Sequence, residues 1–121
     1  MAIVRNKGRR RNEYVKDYVV FDIETTGFRP GLDEIIEISA VKVKDNQVVE
    51  DYSTLVRPSI RIPASATRVN GITNQMVSDA PEIEEAMAGF IEFIGDEILV
   101  GHNIHSFDTN FIYDAAMEAF Q

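Results

Sequence analysis

The chain has 121 residues, 45% hydrophobic and 26% charged, with no cysteine and a formal net charge of −8. That length and balance fit one globular domain with a modest core, and they exclude disulfides and thiolate metal centres within it. No apolar run approaches the ~20 residues that span a bilayer, and no apolar signal segment follows the basic start. The expectation is a cytoplasmic protein with no membrane partner.

The charge is unevenly spread. Residues 1–16 hold Arg5, Lys7, Arg9, Arg10, Arg11 and Lys16 against Glu13 alone. Lacking periodicity, this segment reads as a basic flexible lead-in, either a solvated tail or an arm that touches phosphates. Residues 17–121 form the domain proper and carry six basic against nineteen acidic groups. An acidic body suits phosphate chemistry if its carboxylates hold divalent metal, because the metal reverses the local sign.

In chain order, residues 18–24 (YVVFDIE) make a short, largely apolar strand of the kind covered on both faces. Gly27, Pro30 and Gly31 mark a loop after it. Residues 35–43 (IIEISAVKV) and a run from Gln47 to about Val56 are two further strands, and Asp45-Asn46 between them predicts an antiparallel hairpin. Pro58 and Pro63 suggest an irregular connection over residues 57–70, and residues 73–77 suggest one helical turn. Pro81 is expected at the first position of a helix whose apolar face is Ile83, Met87, Phe90, Ile91 and Ile94. Residues 98–101 (ILVG) form a fourth strand. Ser106 or Asp108 then opens a last helix with Phe111, Ile112, Ala115, Ala116 and Phe120 on its apolar face. The order β-β-β-α-β-α describes an α/β domain, a mixed sheet with flanking helices.

Two carboxylates interrupt the first strand. Asp22 and Glu24 leave the same face, roughly 6.6 Å apart at ~3.3 Å per residue. Buried without partners they would repel each other and lose hydration. A divalent cation removes both penalties, since Mg²⁺ and Mn²⁺ take hard carboxylate oxygen, and two-metal phosphoryl-transfer sites are flanked by such acids. The plainer alternative is that the strand ends at Glu24 and both acids reach water. Asp108 falls on the apolar stripe of the last helix, three and four residues before Phe111 and Ile112. It is either a third ligand or that helix's N-cap. Gly27 allows close backbone approach, and the hydroxyls of Thr25 and Thr26 suit a 3′-OH or phosphate, or are turn residues only.

Four segments in order, VVFDIETTG, DEIIEISAVKV, VNGIT and LVGHNIHSFDTNFIYDAA, resemble the DEDD 3′–5′ exonucleases. Within that family the proofreading subunits and exonuclease domains of bacterial DNA polymerase III are most alike. The resemblance runs from about Tyr18 to Phe120 and implies a ribonuclease H-like fold. It also implies two divalent cations, Mg²⁺ or Mn²⁺, and release of nucleoside monophosphates from a single-stranded 3′ end of DNA, with RNA left open. A DNA polymerase catalytic subunit is the implied protein partner. Position by position, Asp22 would bridge both metals, Glu24 would hold the metal that activates water, and Asp108 would serve the other. Residues Thr25, Thr26 and Gly27 match the turn that meets the terminal nucleotide. Asn70 stands where many members have a nucleotide-contacting histidine. His102-Asn103 matches a His/Tyr-Asn pair that organises the site.

The family's third motif, H-x-x-x-x-D, supplies the general base and a fourth carboxylate, and the sequence reaches Gln121 without it. Tyr113-Asp114 is no substitute, and His105 is a poor candidate for a surrogate base. The expectation is therefore a domain truncated at its C-terminus, with weak or no nuclease activity and some self-association through the truncated edge. The alternative function is an inactive nucleic-acid-binding or assembly module with the same fold. Glu37, pointing opposite to Ile36 and Ile38, is expected in an ordinary place at the sheet surface or the sheet end, with support of the acidic site from behind as the alternative.

Overall fold

The computed structural model describes residues 2–3, by backbone alone, and residues 17–101. Expectations for the rest of the lead-in and for the last helix, Asp108 included, lie outside the described residues. The described strands are β1 (Ala2–Ile3), β2 (Tyr18–Thr25), β3 (Ile35–Lys44), β4 (Gln47–Leu55) and β5 (Ile98–Gly101); the helices are α1 (Ala64–Asn70) and α2 (Ile83–Ile94). The strands form one sheet in the order β1-β5-β2-β3-β4. Its β1–β5 and β5–β2 pairs are parallel, and β2–β3 and β3–β4 are antiparallel.

The expected hairpin of β3 and β4 is present. Asp45 and Asn46 both have positive φ, 53° and 68°, the left-handed pair that a two-residue turn between right-twisted strands requires. Ala2 and Ile3 pair with Ile98 and Leu99, a contact that no pattern in the basic segment announces.

Alternation along β2 decides where the core lies. Val19, Phe21 and Ile23 are buried, whereas Val20, Asp22 and Glu24 on the other face are half-buried. β2 is thus fully covered on one face alone among the described residues. Helix α2 supplies that cover, burying Ala86, Met87, Phe90 and Ile94. Phe90 meets Phe21 edge-on with ring centroids 5.9 Å apart and lies 6.1 Å from the Tyr52 ring. Gly89 is needed there, since a Cβ would come within 2.8 Å of the Tyr52 hydroxyl oxygen. That hydroxyl donates to the Ala86 carbonyl at 2.8 Å. A smaller cluster of Ile36, Ile62, Ile72 and Val77 seats the connection between β4 and α2.

Three local expectations are corrected. Residues 64–70 are helical, because Pro63 at the N-cap has the fixed φ a helix start accepts, and Gly71 closes the helix in the left-handed region with its N–H on the Thr67 carbonyl. No residue of α1 is buried, so it carries no apolar stripe to reveal it. Residues 74–79 form successive turns and not a helix. Helix α2 begins at Ile83 with Glu82 as its N-cap, so Pro81 precedes it. No helix among the described residues is long and apolar enough to cross a membrane.

Candidate active site

A groove of about 390 Å³ opens at the end of β2. One wall is the run Asp22, Ile23, Glu24, Thr25, Thr26, Gly27 and Phe28; the other is Ser65, Ala66, Val69 and Asn70 of α1. Residues expected at the site from β2, its turn and the VNGIT segment therefore line one cleft. Asp108, His102 and Asn103 lie outside the described residues.

The acids lie on the sheet face away from α2. In the β2–β3 ladder Ser39 stands opposite Asp22, and Glu37 stands opposite Glu24. Glu37 is accordingly a neighbour of the acidic pair, which favours the alternative of support for that site. Burial pushes its carboxyl above the ordinary glutamate value, and the charge of Asp22 pushes it further the same way. A raised folded-state value means that Glu37 contributes stability while protonated and loses it as pH rises through that value. Glu37→Gln is therefore expected to melt higher than the parent at neutral pH in metal-free buffer. The gap should close in acid, where Glu37 is protonated folded and unfolded alike, and thermal melts across that range check it.

The donor set fits a hard divalent cation. Two carboxylates share one strand face at a groove, with a third acid opposite, Glu37, whose ionisation burial and the charge of Asp22 oppose. Among the described residues no group of three or more His, Asp or Glu side chains is placed to hold an ion by itself. By themselves, Asp22 and Glu24 could therefore supply only part of a ligand set.

The turn after β2 is held from within. The Thr26 hydroxyl donates to Asp33 Oδ1 at 2.9 Å and accepts from the Glu34 amide at 3.0 Å, while the Thr26 amide donates to the Glu34 carbonyl at 2.9 Å. Thr26 is 2% exposed. Its hydroxyl and amide are thus committed inside the loop and not turned to the groove. The Thr25 hydroxyl donates to the Gly27 carbonyl. Asn70 spans the two walls: its Nδ2 donates to the Thr25 carbonyl at 3.4 Å and its Oδ1 accepts from the Ile72 amide at 2.9 Å.

Sequence reasoning missed Asp33, Phe28, Ser65, Ala66 and Val69. Asp33 is buried. Burial alone would raise its carboxyl, but the Arg29 amide, the Thr26 hydroxyl and the Arg29 guanidinium outweigh that and hold it below the usual aspartate value. Phe28 and Val69 are 79% and 80% exposed. Large apolar side chains this exposed at the mouth of a cleft are a signal that only surface area reveals.

Comparison with known proteins agrees with this geometry. The exonuclease family model, the RNase_T exonuclease domain, matches residues 19–121. The chain is 48% identical over 102 residues to the PolC-type DNA polymerase III of Clostridium perfringens, and 43% identical over 95 residues to that of Bacillus subtilis. Those matches cover 84% and 78% of this chain but only 7% and 6% of the polymerases. Among solved structures, exonuclease X in complex with 5′ overhanging duplex DNA is 37% identical with a TM-score of 0.67, covering 78% of this chain and 53% of that one. Escherichia coli exonuclease I in complex with an oligonucleotide shares the fold at a TM-score of 0.77 and 19% identity, covering 88% and 25%. With a mixed sheet of the ribonuclease H-like kind, an acidic pair at the end of β2 and a family match from Val19 onward, the chain belongs to the exonuclease family, in its DEDD branch, and resembles the PolC-type exonuclease domain.

Proposed function

We propose that this chain is a metal-dependent 3′–5′ exonuclease domain of the DNA-proofreading type, acting on single-stranded 3′ ends to release nucleoside monophosphates. The observation that carries the reading is the groove itself, where Asp22 and Glu24 face an α1 wall across a cleft with exposed apolar residues at its mouth. Two divalent cations, Mg²⁺ or Mn²⁺, held by Asp22, Glu24 and Asp108, would supply an activated water and neutralise charge on the phosphoryl group. The exposed Phe28 ring offers a flat apolar face to a base, with Val69 adding aliphatic contact from the other wall, and stacking on an aromatic ring tolerates any sequence. Asn70 ties α1 to the Thr25 carbonyl and so sets the width of the cleft. His102 and Asn103, directly after β5, are assigned to organising the same site. A polymerase catalytic subunit is the proposed partner and the cytoplasm the proposed compartment, because the relatives are PolC-type DNA polymerase III proteins.

The test is calorimetric titration of Mn²⁺ into the parent, Glu24→Ala and Asp108→Ala, alongside a 5′-labelled single-stranded oligodeoxynucleotide. Metal affinity that falls in both variants, with any shortening confined to the 3′ end, supports the reading. Equal affinity in all three proteins overturns it. Single-strand binding that ignores both metal and the carboxylates points to an inactive binding module, and shortening of an RNA strand alone reassigns the substrate.

A further inference from the structure

We propose that Asp33 is a positioning residue for the terminal nucleotide: its carboxylate, packed behind Gly27, sets the height and tilt at which residues 25–28 face the groove. This rests on the exonuclease reading above. Asp33 makes three contacts into the turn. Oδ1 accepts from the Thr26 hydroxyl at 2.9 Å, and Oδ2 accepts from the Arg29 amide at 3.0 Å and from Arg29 Nε at 3.2 Å. Its own amide donates to the Arg29 carbonyl at 2.7 Å. The Thr26 hydroxyl passes the connection on to the Glu34 amide. The neck and the crown of the loop are thus tied to one buried group.

Gly27 completes the device. A Cβ there would lie 2.5 to 2.8 Å from the three carboxyl atoms of Asp33, inside the distance real Cβ atoms keep. Gly27 does not have positive φ. Its need for glycine is therefore steric and comes from inside the loop, in addition to any approach by a ligand from outside. With Thr26 and Asp33 facing inward, the groove meets Thr25, Phe28 and the backbone between them, and their placement follows from where the carboxylate sits. An aspartate is suited to this because an ionised carboxylate accepts several hydrogen bonds at once, and the guanidinium balances its charge.

The experiment separates metal binding from nucleotide binding. Mn²⁺ affinity is measured by calorimetry, and thymidine 5′-monophosphate is then titrated at saturating Mn²⁺. Asp33→Ala is expected to leave Mn²⁺ affinity unchanged and to weaken the nucleotide about tenfold, the scale of one displaced hydrogen bond. Asp33→Asn, nearly isosteric and still able to accept from Thr26, should recover part of that loss, and it serves as the readout if the alanine variant does not fold. Gly27→Ala alone should match Asp33→Ala, and adding it to Asp33→Ala should cost little more, because the group it strikes is gone. A purely structural role would lower melting temperatures without separating the two affinities. Nucleotide affinity equal to the parent in both Asp33 variants overturns the proposal, as do fully additive losses in the double variant. A parent that binds Mn²⁺ through Asp22 while the Asp33 variants are silent sinks this inference alone. A parent that binds neither metal nor nucleotide sinks the exonuclease reading with it.

Discussion

Asp22→Ala is expected to reduce Mn²⁺ affinity by more than about 100-fold, since even the loss of a group supporting a ligand costs ~10–100-fold. Asp22 is the earlier of the two acids on β2, with β5 pairing beside it as far as Phe21 and β3 across from it at Ser39. Backbone pairing on β2 therefore keeps the carboxylate in place whether or not metal is bound, and its removal deletes a ligand without loosening a loop. The fold should survive. Asp22 is half-buried on the face away from α2, and the substitution removes the charge that opposes ionisation of Glu37. The expected pattern is lost metal heat in calorimetry with an unchanged or slightly higher melting temperature. A variant that keeps the parent's metal affinity would remove Asp22 from the site.

Phe90→Ala should have the opposite signature. The ring is fully buried, edge-on to Phe21 and against Tyr52. Truncations of this kind cost ~3–5 kcal/mol, from lost transfer energy and from the cavity left behind. Small domains hold only ~5–15 kcal/mol in total, so the variant is expected to be largely unfolded or to unfold at much lower urea. Phe90→Leu, which keeps most of the volume, should fold with a reduced midpoint and bind Mn²⁺ as the parent does. Urea titration followed by circular dichroism checks the first statement and calorimetry the second. A Phe90→Ala protein as stable as the parent would mean that α2 does not anchor the sheet.

The two results differ because the sequence writes two kinds of information into the same strand. The apolar alternation of β2, the β-rich run of β3 and the Asp45-Asn46 turn were all readable, since each depends on local period or local φ. The spacing of Asp22 and Glu24 placed both acids on one face for the same reason. Helix α1 was not readable, because a seven-residue helix with no buried residue leaves no periodic trace and Pro58 and Pro63 just before it look like breakers. Glu37 stayed between two readings because its meaning comes from the residue across the ladder, Glu24, and register is a tertiary fact. Asp33 was missed for a related reason: it acts seven residues away on Thr26, through a loop without period. Asp108 entered through its helical spacing and the family resemblance, and it lies beyond the described residues.

The parity of β2 also bears on how this domain tolerates change in length. Odd-numbered Val19, Phe21 and Ile23 face the α2 layer, and even-numbered Asp22 and Glu24 face the groove. Deleting a single residue upstream within the strand would carry both acids into the packed layer and bring Ile23 to the groove face. Point substitutions in β2 therefore damage one property at a time, whereas frame-preserving insertions and deletions damage both. Length variation has room only where parity is not read, and variants of this strand should differ in side chains but keep its residue count.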